Sequence, residues 1–263
     1  MRPARLGAVS YLNTKPLVRG LDSRPDLFDV RFDVPAVCAT LLHEGHVDVG
    51  LIPAVEYLRG DYRIVPDIAI GSDGVVDSVA IFAKVPVEQV QTLALDTSSR
   101  TSVALTRILC AKHWGIAPAF TPAEPDVPRM LARADAALVI GDPALEIDPA
   151  RVGATKIDLG EAWKAMTGLP FVYAAWTGRD GALNQEQVAA LQAARARGEA
   201  ELEAIARETA PGDAAGTNKV LRYLRDTLRY GLGEREVAGL ERFHELAVEL
   251  GLAPGTRPLR FFP

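Results

Sequence analysis

The sequence contains no block of Lys or Arg. Its 29 basic side chains are scattered among 34 acidic ones, giving a net charge of -5 and a pI near 5.5. The electrostatic footprint of a nucleic-acid binder is missing, so DNA and RNA are not expected partners. A long apolar run is missing too. No stretch reaches the roughly 18 residues of a membrane span. The N-terminal Leu6-Gly7-Ala8-Val9 run stops at Ser10 and Asn13, too early for the core of an export signal. With an initiating Met, the expectation is a cytoplasmic protein without membrane contact.

Cysteine and histidine are scarce. Cys38 and Cys110 stand far apart in apolar helical patterns and read as buried free thiols. A nucleophilic Cys is the lesser alternative, because neither has a neighbouring His at a strand-to-helix turn. His43-Glu44-Gly45-His46 is not the H-E-x-x-H zinc pattern, and Gly45 is expected to end a helix between the two imidazoles, leaving surface histidines. His113 and His244 have no partners at ligand spacing, so no metal is expected. There is no GxGxxG, P-loop, GxSxG or EF-hand loop, which removes sequence support for nucleotide, acyl-hydrolase and calcium chemistry.

What is present is ordinary globular composition, 48% hydrophobic and 24% charged over 263 residues, enough for one large domain or two medium lobes. Apolar runs at 5–9, 29–34 and 47–52 read as strands, with helices at 15–20 and 35–44 between them, forming a βαβαβ unit and hence a parallel sheet. After an extended segment at 75–84 the pattern repeats: strands at 92–95, 119–121 and 136–140, helices at 100–114 and 127–133. Two α/β lobes joined by extended crossings suggest a hinged clamshell, residues 1–80 and 175–263 forming one lobe and 81–174 the other, with the ligand cleft between them. From Asn184 the chain turns helical: a long Ala-rich helix, then helices at 218–230 and 234–250.

Three polar segments fall at strand ends, where open α/β sheets place ligands. In Asp96-Thr97-Ser98-Ser99-Arg100-Thr101-Ser102, a helix N-terminus and an Arg fork offer an anion site. The same residues read equally well as a Ser/Thr-capped helix with Arg100 facing solvent. In Ser10-Tyr11-Leu12-Asn13-Thr14-Lys15-Pro16, Tyr11 and Asn13 could bind a polar substrate, although turn formation is the plainer reading of Asn13. Asp142 could orient a ligand hydroxyl or accept a proton, or more simply cap the turn that starts at Pro143.

The chain resembles the chorismate dehydratase (MqnA) family of the futalosine route to menaquinone. The resemblance spans nearly the whole length. It includes Tyr11-Leu12-Asn13-Thr14-Lys15-Pro16-Leu17, Asp48-Val49-Gly50-Leu51-Ile52-Pro53 with Glu56, Ser99-Arg100-Thr101-Ser102 and Gly141-Asp142-Pro143. Further on it includes Asp158-Leu159-Gly160 with Trp163, Thr167-Gly168-Leu169-Pro170 and Tyr230-Gly231-Leu232-Gly233. It implies a type II periplasmic-binding-protein fold, no cofactor, and conversion of chorismate to 3-[(1-carboxyvinyl)oxy]benzoate. The family's active-site asparagine maps onto Asn13, and the serine of its first crossing onto Ser78. On this reading Asn13 and Ser78 act at the reacting ring, while Tyr11, Ser99, Arg100, Thr101, Ser102 and Asp142 bind substrate, Arg100 anchoring a carboxylate. The general base is either Asp142 or the substrate's own enolpyruvyl carboxylate. The competing readings are a non-catalytic small-carboxylate binding protein and the sister enzyme of the same pathway and fold.

Overall fold

The computed structural model describes residues 2–263, folded as two sheets with helices packed around each. The first sheet holds β1 (Ala4–Val9), β2 (Phe28–Asp33), β3 (Val49–Pro53), β4 (Tyr62–Ile64), β5 (Ile70–Ser72) and β11 (Phe171–Arg179), in the order β2-β1-β3-β11-β4 with β5 also on β11. The second holds β6 (Val79–Ala83), β7 (Thr92–Asp96), β8 (Ala119–Ala123), β9 (Ala136–Ile140) and β10 (Thr155–Asp158), in the order β10-β6-β9-β7-β8.

The repeated βαβαβ pattern becomes a repeated parallel core: β1 pairs parallel with β2 and β3, and β7 with β8 and β9. The strand by which the chain enters each sheet from the other runs antiparallel to that core, β6 against β9 and β11 against β3. Sheet membership changes between Ser72 and Val79 and again between Asp158 and Phe171. This is the two-lobed clamshell that the alternation of strands and helices implied.

α1 (Pro35–His43) and α2 (Arg100–Lys112) follow the expected helices closely, and Gly45 at φ 78° ends the α1 turn in the left-handed region. α3 (Val127–Leu131) is short, and α4 (Asp142–Glu146) starts at Asp142 with Pro143 in its first turn. Other elements differ from expectation. The helix expected at 15–20 is a 3₁₀ turn, Leu12–Val18, because Pro16 lies inside it and removes an interior N–H. The long helix after Asn184 is two, α6 (Gln185–Ala200) and α7 (Leu202–Thr209), broken at Glu201. The helix expected at 218–230 begins earlier as α8 (Ala214–Arg222) and loosens into a π-helical turn, Tyr223–Thr227. It is over by Arg229, which bridges to Gly71 instead. α9 (Glu234–Glu249) matches its expected span.

The short strands β4, β5 and β10 carried too little periodicity to be read, and the helix α5 (Leu159–Thr167), capped by Asp158 and ended by Gly168, lies outside the expected elements. α5 joins the core through Trp163, which meets Phe171 of β11 and Phe243 of α9 edge-on, at centroid distances of 5.1 and 6.3 Å. Each fully buried side chain of this size contributes about 1.5–3 kcal/mol by leaving water, so the aromatic cluster helps fix the joint between the two sheets. Among the described residues, no helix is long and apolar enough to cross a membrane.

Candidate active site

A narrow cavity of about 40 Å³ lies where the two sheets face each other, lined from the first by Tyr11 and Asn13 and from the second by Ser78, Ser99 and Ser102. Five of the eight residues singled out from sequence therefore meet on one space. Tyr11 follows β1, and its ring packs over Gly141, where a Cβ would lie 2.7 Å from the ring; Gly141 also sits at φ 70°, so a side chain there is excluded twice. The Tyr11 hydroxyl donates to Ser98 Oγ at 3.4 Å, and burial pushes its phenol above the ordinary range.

Ser78 sits at the end of the crossing into β6, and its backbone is held from two directions. Gly141 N–H donates to the Ser78 carbonyl at 2.8 Å. The buried Asp158 carboxylate accepts from the N–H groups of Val76 and Asp77, the latter at 2.7 Å, while also capping α5 through Gly160 and Glu161. Asp77 adopts φ 60°, a left-handed conformation uncommon for a residue with a side chain, immediately before the serine. The Ser78 side chain accepts a hydrogen bond from Tyr223 of the π-helical turn at 2.8 Å.

Ser99 caps α2, accepting from the Ser102 N–H at 3.4 Å, and the Ser102 hydroxyl donates to Ser99 Oγ at 3.1 Å. The loop before them is tied to β9: Asp96 accepts from Ser98 N–H at 2.9 Å, Ser98 Oγ–H at 2.6 Å and Ile140 N–H at 3.2 Å. Two serines at a helix start thus line the cavity together with Asn13, an arrangement suited to a carboxylate.

Arg100, Thr101 and Asp142 are not brought to this cavity. The Arg100 guanidinium turns toward the first sheet, donating to Glu56 at 2.8 Å and to Thr40 Oγ1 at 3.0 Å. The cause is Glu56, whose fully buried carboxylate must be paired; it also accepts from Arg59 at 3.0 Å and contacts His43 Nε2 at 2.7 Å. Burial alone would raise the Glu56 carboxyl, but the His43 hydrogen bond and the Arg100 and Arg59 charges outweigh it and hold it below the usual range. His43 is accordingly not the surface histidine its position suggested, since its Nδ1 also meets Tyr62 OH at 2.6 Å. Thr101 is buried and accepts from Val55 N–H at 3.2 Å. Asp142 accepts from Leu12 N–H at 3.0 Å and lines a second, larger cavity of about 770 Å³ with Lys15, Lys156 and Tyr223; burial raises its carboxyl.

Two contributors had no local signal in the sequence: Tyr173 lines the cavity and shares a hydrogen bond with Ser72, and Tyr223 holds Ser78. Ser98, within the polar segment at 96–102, links the lobes. Among the described residues, no group of three or more His, Cys, Asp or Glu could hold a metal ion.

Solved structures share the fold at low identity. A protein from Archaeoglobus fulgidus is 18% identical, with 95% of this chain and 98% of that chain covered and a TM-score of 0.74. A Candida albicans gene product described as having the generic periplasmic binding protein structural fold is 9% identical, with 98% and 92% covered and a TM-score of 0.67. In sequence, the chain is 33% identical to a chorismate dehydratase of Thermus thermophilus, over 97% of this chain and 98% of the relative. Residues 4–249 match the family model for menaquinone biosynthesis. The chain belongs to the menaquinone biosynthesis family, on the chorismate dehydratase (MqnA) branch.

Proposed function

We propose that the chain is a hydro-lyase that converts chorismate to 3-[(1-carboxyvinyl)oxy]benzoate, acting in menaquinone biosynthesis. The reading is carried by one observation: in a chain of this family, Asn13 and Ser78 line a single cavity together with two serines at a helix start. Chorismate has two carboxylates and a ring one elimination short of aromatic. Loss of the proton at C3 and of hydroxide from C4 releases one water and leaves the new double bond between those carbons.

In this reading Ser99, Ser102 and the first N–H groups of α2 hold the ring carboxylate. Drawing charge onto that group acidifies the vinylogous C3 proton, so proton loss precedes loss of hydroxide. Asn13 and Ser78 bind the departing hydroxyl, and Tyr11 packs against the ring. Holding the substrate in this geometry supplies much of the rate, because the product's aromaticity makes the step downhill. Arg100 contributes by fixing α2 against Glu56. Asp142, outside the cavity, steadies the Leu12–Val18 turn that carries Asn13, which favours the substrate's enolpyruvyl carboxylate as the base.

The test is incubation of the purified chain with chorismate and no added cofactor, followed by mass spectrometry. A product lighter by one water is expected. Tight binding without dehydration, with spontaneous rearrangement controlled, would instead make this a small-carboxylate binding protein.

A further inference from the structure

Tyr223 is the side chain that the reaction scheme leaves unused although it touches the centre of the site. It is 4% exposed, and its hydroxyl donates to Ser78 Oγ at 2.8 Å. Burial pushes its phenol up, with the Ser78 hydrogen bond and the Asn13 amide acting against that rise. The local backbone is unusual in the same place. α8 buries none of its residues, and the first buried side chains of the segment, Tyr223 and Leu224, come where the helix widens into the π-helical turn. Such widenings cost regular hydrogen bonding and concentrate at functional sites, because the extra residue re-aims a side chain. Tyr223 also lines the larger cavity while its partner Ser78 lines the smaller, so the phenol is part of the wall between them.

We propose that Tyr223 is a positioning residue for this site, fixing Ser78 so that the serine's own O–H points into the cavity beside Asn13; this rests on the dehydratase reading above. The argument is one of hydrogen-bond polarity. A serine hydroxyl has a single proton and can donate in only one direction. Once Oγ accepts from the phenol, that proton is left for the substrate, and accepting one bond strengthens the bond it donates. The backbone of Ser78 is set by Asp158 and Gly141, its side chain by Tyr223.

Tyr223→Phe keeps the ring and removes only the donor. Turnover of chorismate should fall at least about tenfold with KM within twofold and an unchanged melting temperature. Adding Tyr223→Phe to Ser78→Ala should cost less than twofold more, since the two act as one unit. Turnover within twofold of the parent, or losses that multiply in the double variant, would overturn the proposal. Crystal structures of parent and Tyr223→Phe give a reading independent of turnover: Ser78 Oγ should leave its parental rotamer, and an unchanged, well-ordered Oγ would also overturn it. A parent inactive on chorismate sinks the dehydratase reading, and the Ser78 rotamer then decides the role of Tyr223 alone.

Discussion

Glu56 shows how a single buried carboxylate redirects the side chains around it. A buried anion left unpaired costs several kcal/mol, so Arg100 is drawn to it although its position at a helix start looked suited to a ligand. Arg100→Ala should therefore lower stability by about 1–3 kcal/mol in urea unfolding, less than for a lone pair because His43 and Arg59 remain on Glu56. Chorismate affinity should change only a few-fold by calorimetry; a collapse of affinity at unchanged stability would return the guanidinium to the substrate. Asp48 offers a cleaner pH signature. Burial opposes its charge, but Arg5 and Arg2 bind it more strongly and bring its carboxyl from 3.8 down to about 2. A depressed carboxyl contributes stability above its unfolded pKa and loses it as pH falls through the folded one. Asp48→Asn should cost about 2 kcal/mol at neutral pH, and the difference between parent and variant should fade between about pH 4 and pH 2 in thermal melts. The Glu56–Arg100 and Asp48–Arg5 pairs were not legible beforehand, because they join residues 44 and 43 positions apart.

At the scale of elements, the strands and helices of the parallel cores were readable because each has enough residues to show its period. Asn13 was recognisable from the family motif around it, and Ser78 from its place in the first crossing that the family resemblance implied. The Tyr223–Thr227 turn was not, since a π-helical widening leaves an apolar spacing that a regular helix would share. Nor was the role of Gly198, which lies in the middle of α6 where glycine is otherwise unfavourable. A Cβ there would sit 2.0 Å from the Pro16 carbonyl oxygen, so glycine lets α6 press directly on the turn that presents Asn13. Gly198→Ala should lose about 1–3 kcal/mol and reduce turnover by shifting that turn, checked by melting temperature and kcat on the same preparation. Equal stability and turnover would mean that α6 moves away without disturbing the site.

At the scale of the molecule, the lobes are drawn together by polar contacts from one to the other. Ala36 N–H donates to the Ser98 carbonyl at 2.9 Å, and Leu12 N–H meets the Asp142 carboxylate at 3.0 Å. The cavity of about 40 Å³ is far below the roughly 300 Å³ at which ligand pockets begin, so this conformer is too narrow there to hold chorismate. Small-angle scattering should give a larger radius of gyration for the free protein than for the protein with substrate or product bound, as hinged closure requires. Identical radii would place the admission of substrate in side-chain motion instead. The clamshell itself was legible from the repeated strand-helix order, whereas its degree of closure depends on contacts between residues that sequence leaves far apart.

Ser78, Ser99 and Ser102 all sit at the edge of the second sheet that faces the cavity, whereas Tyr11 and Asn13 belong to the first. A hinge carries each sheet as a body. On the proposed roles, the three serines would then stay assembled through every cycle, and Asn13 would arrive last. A rapid-mixing experiment would see that order as a concentration-dependent encounter followed by a slower step whose rate levels off.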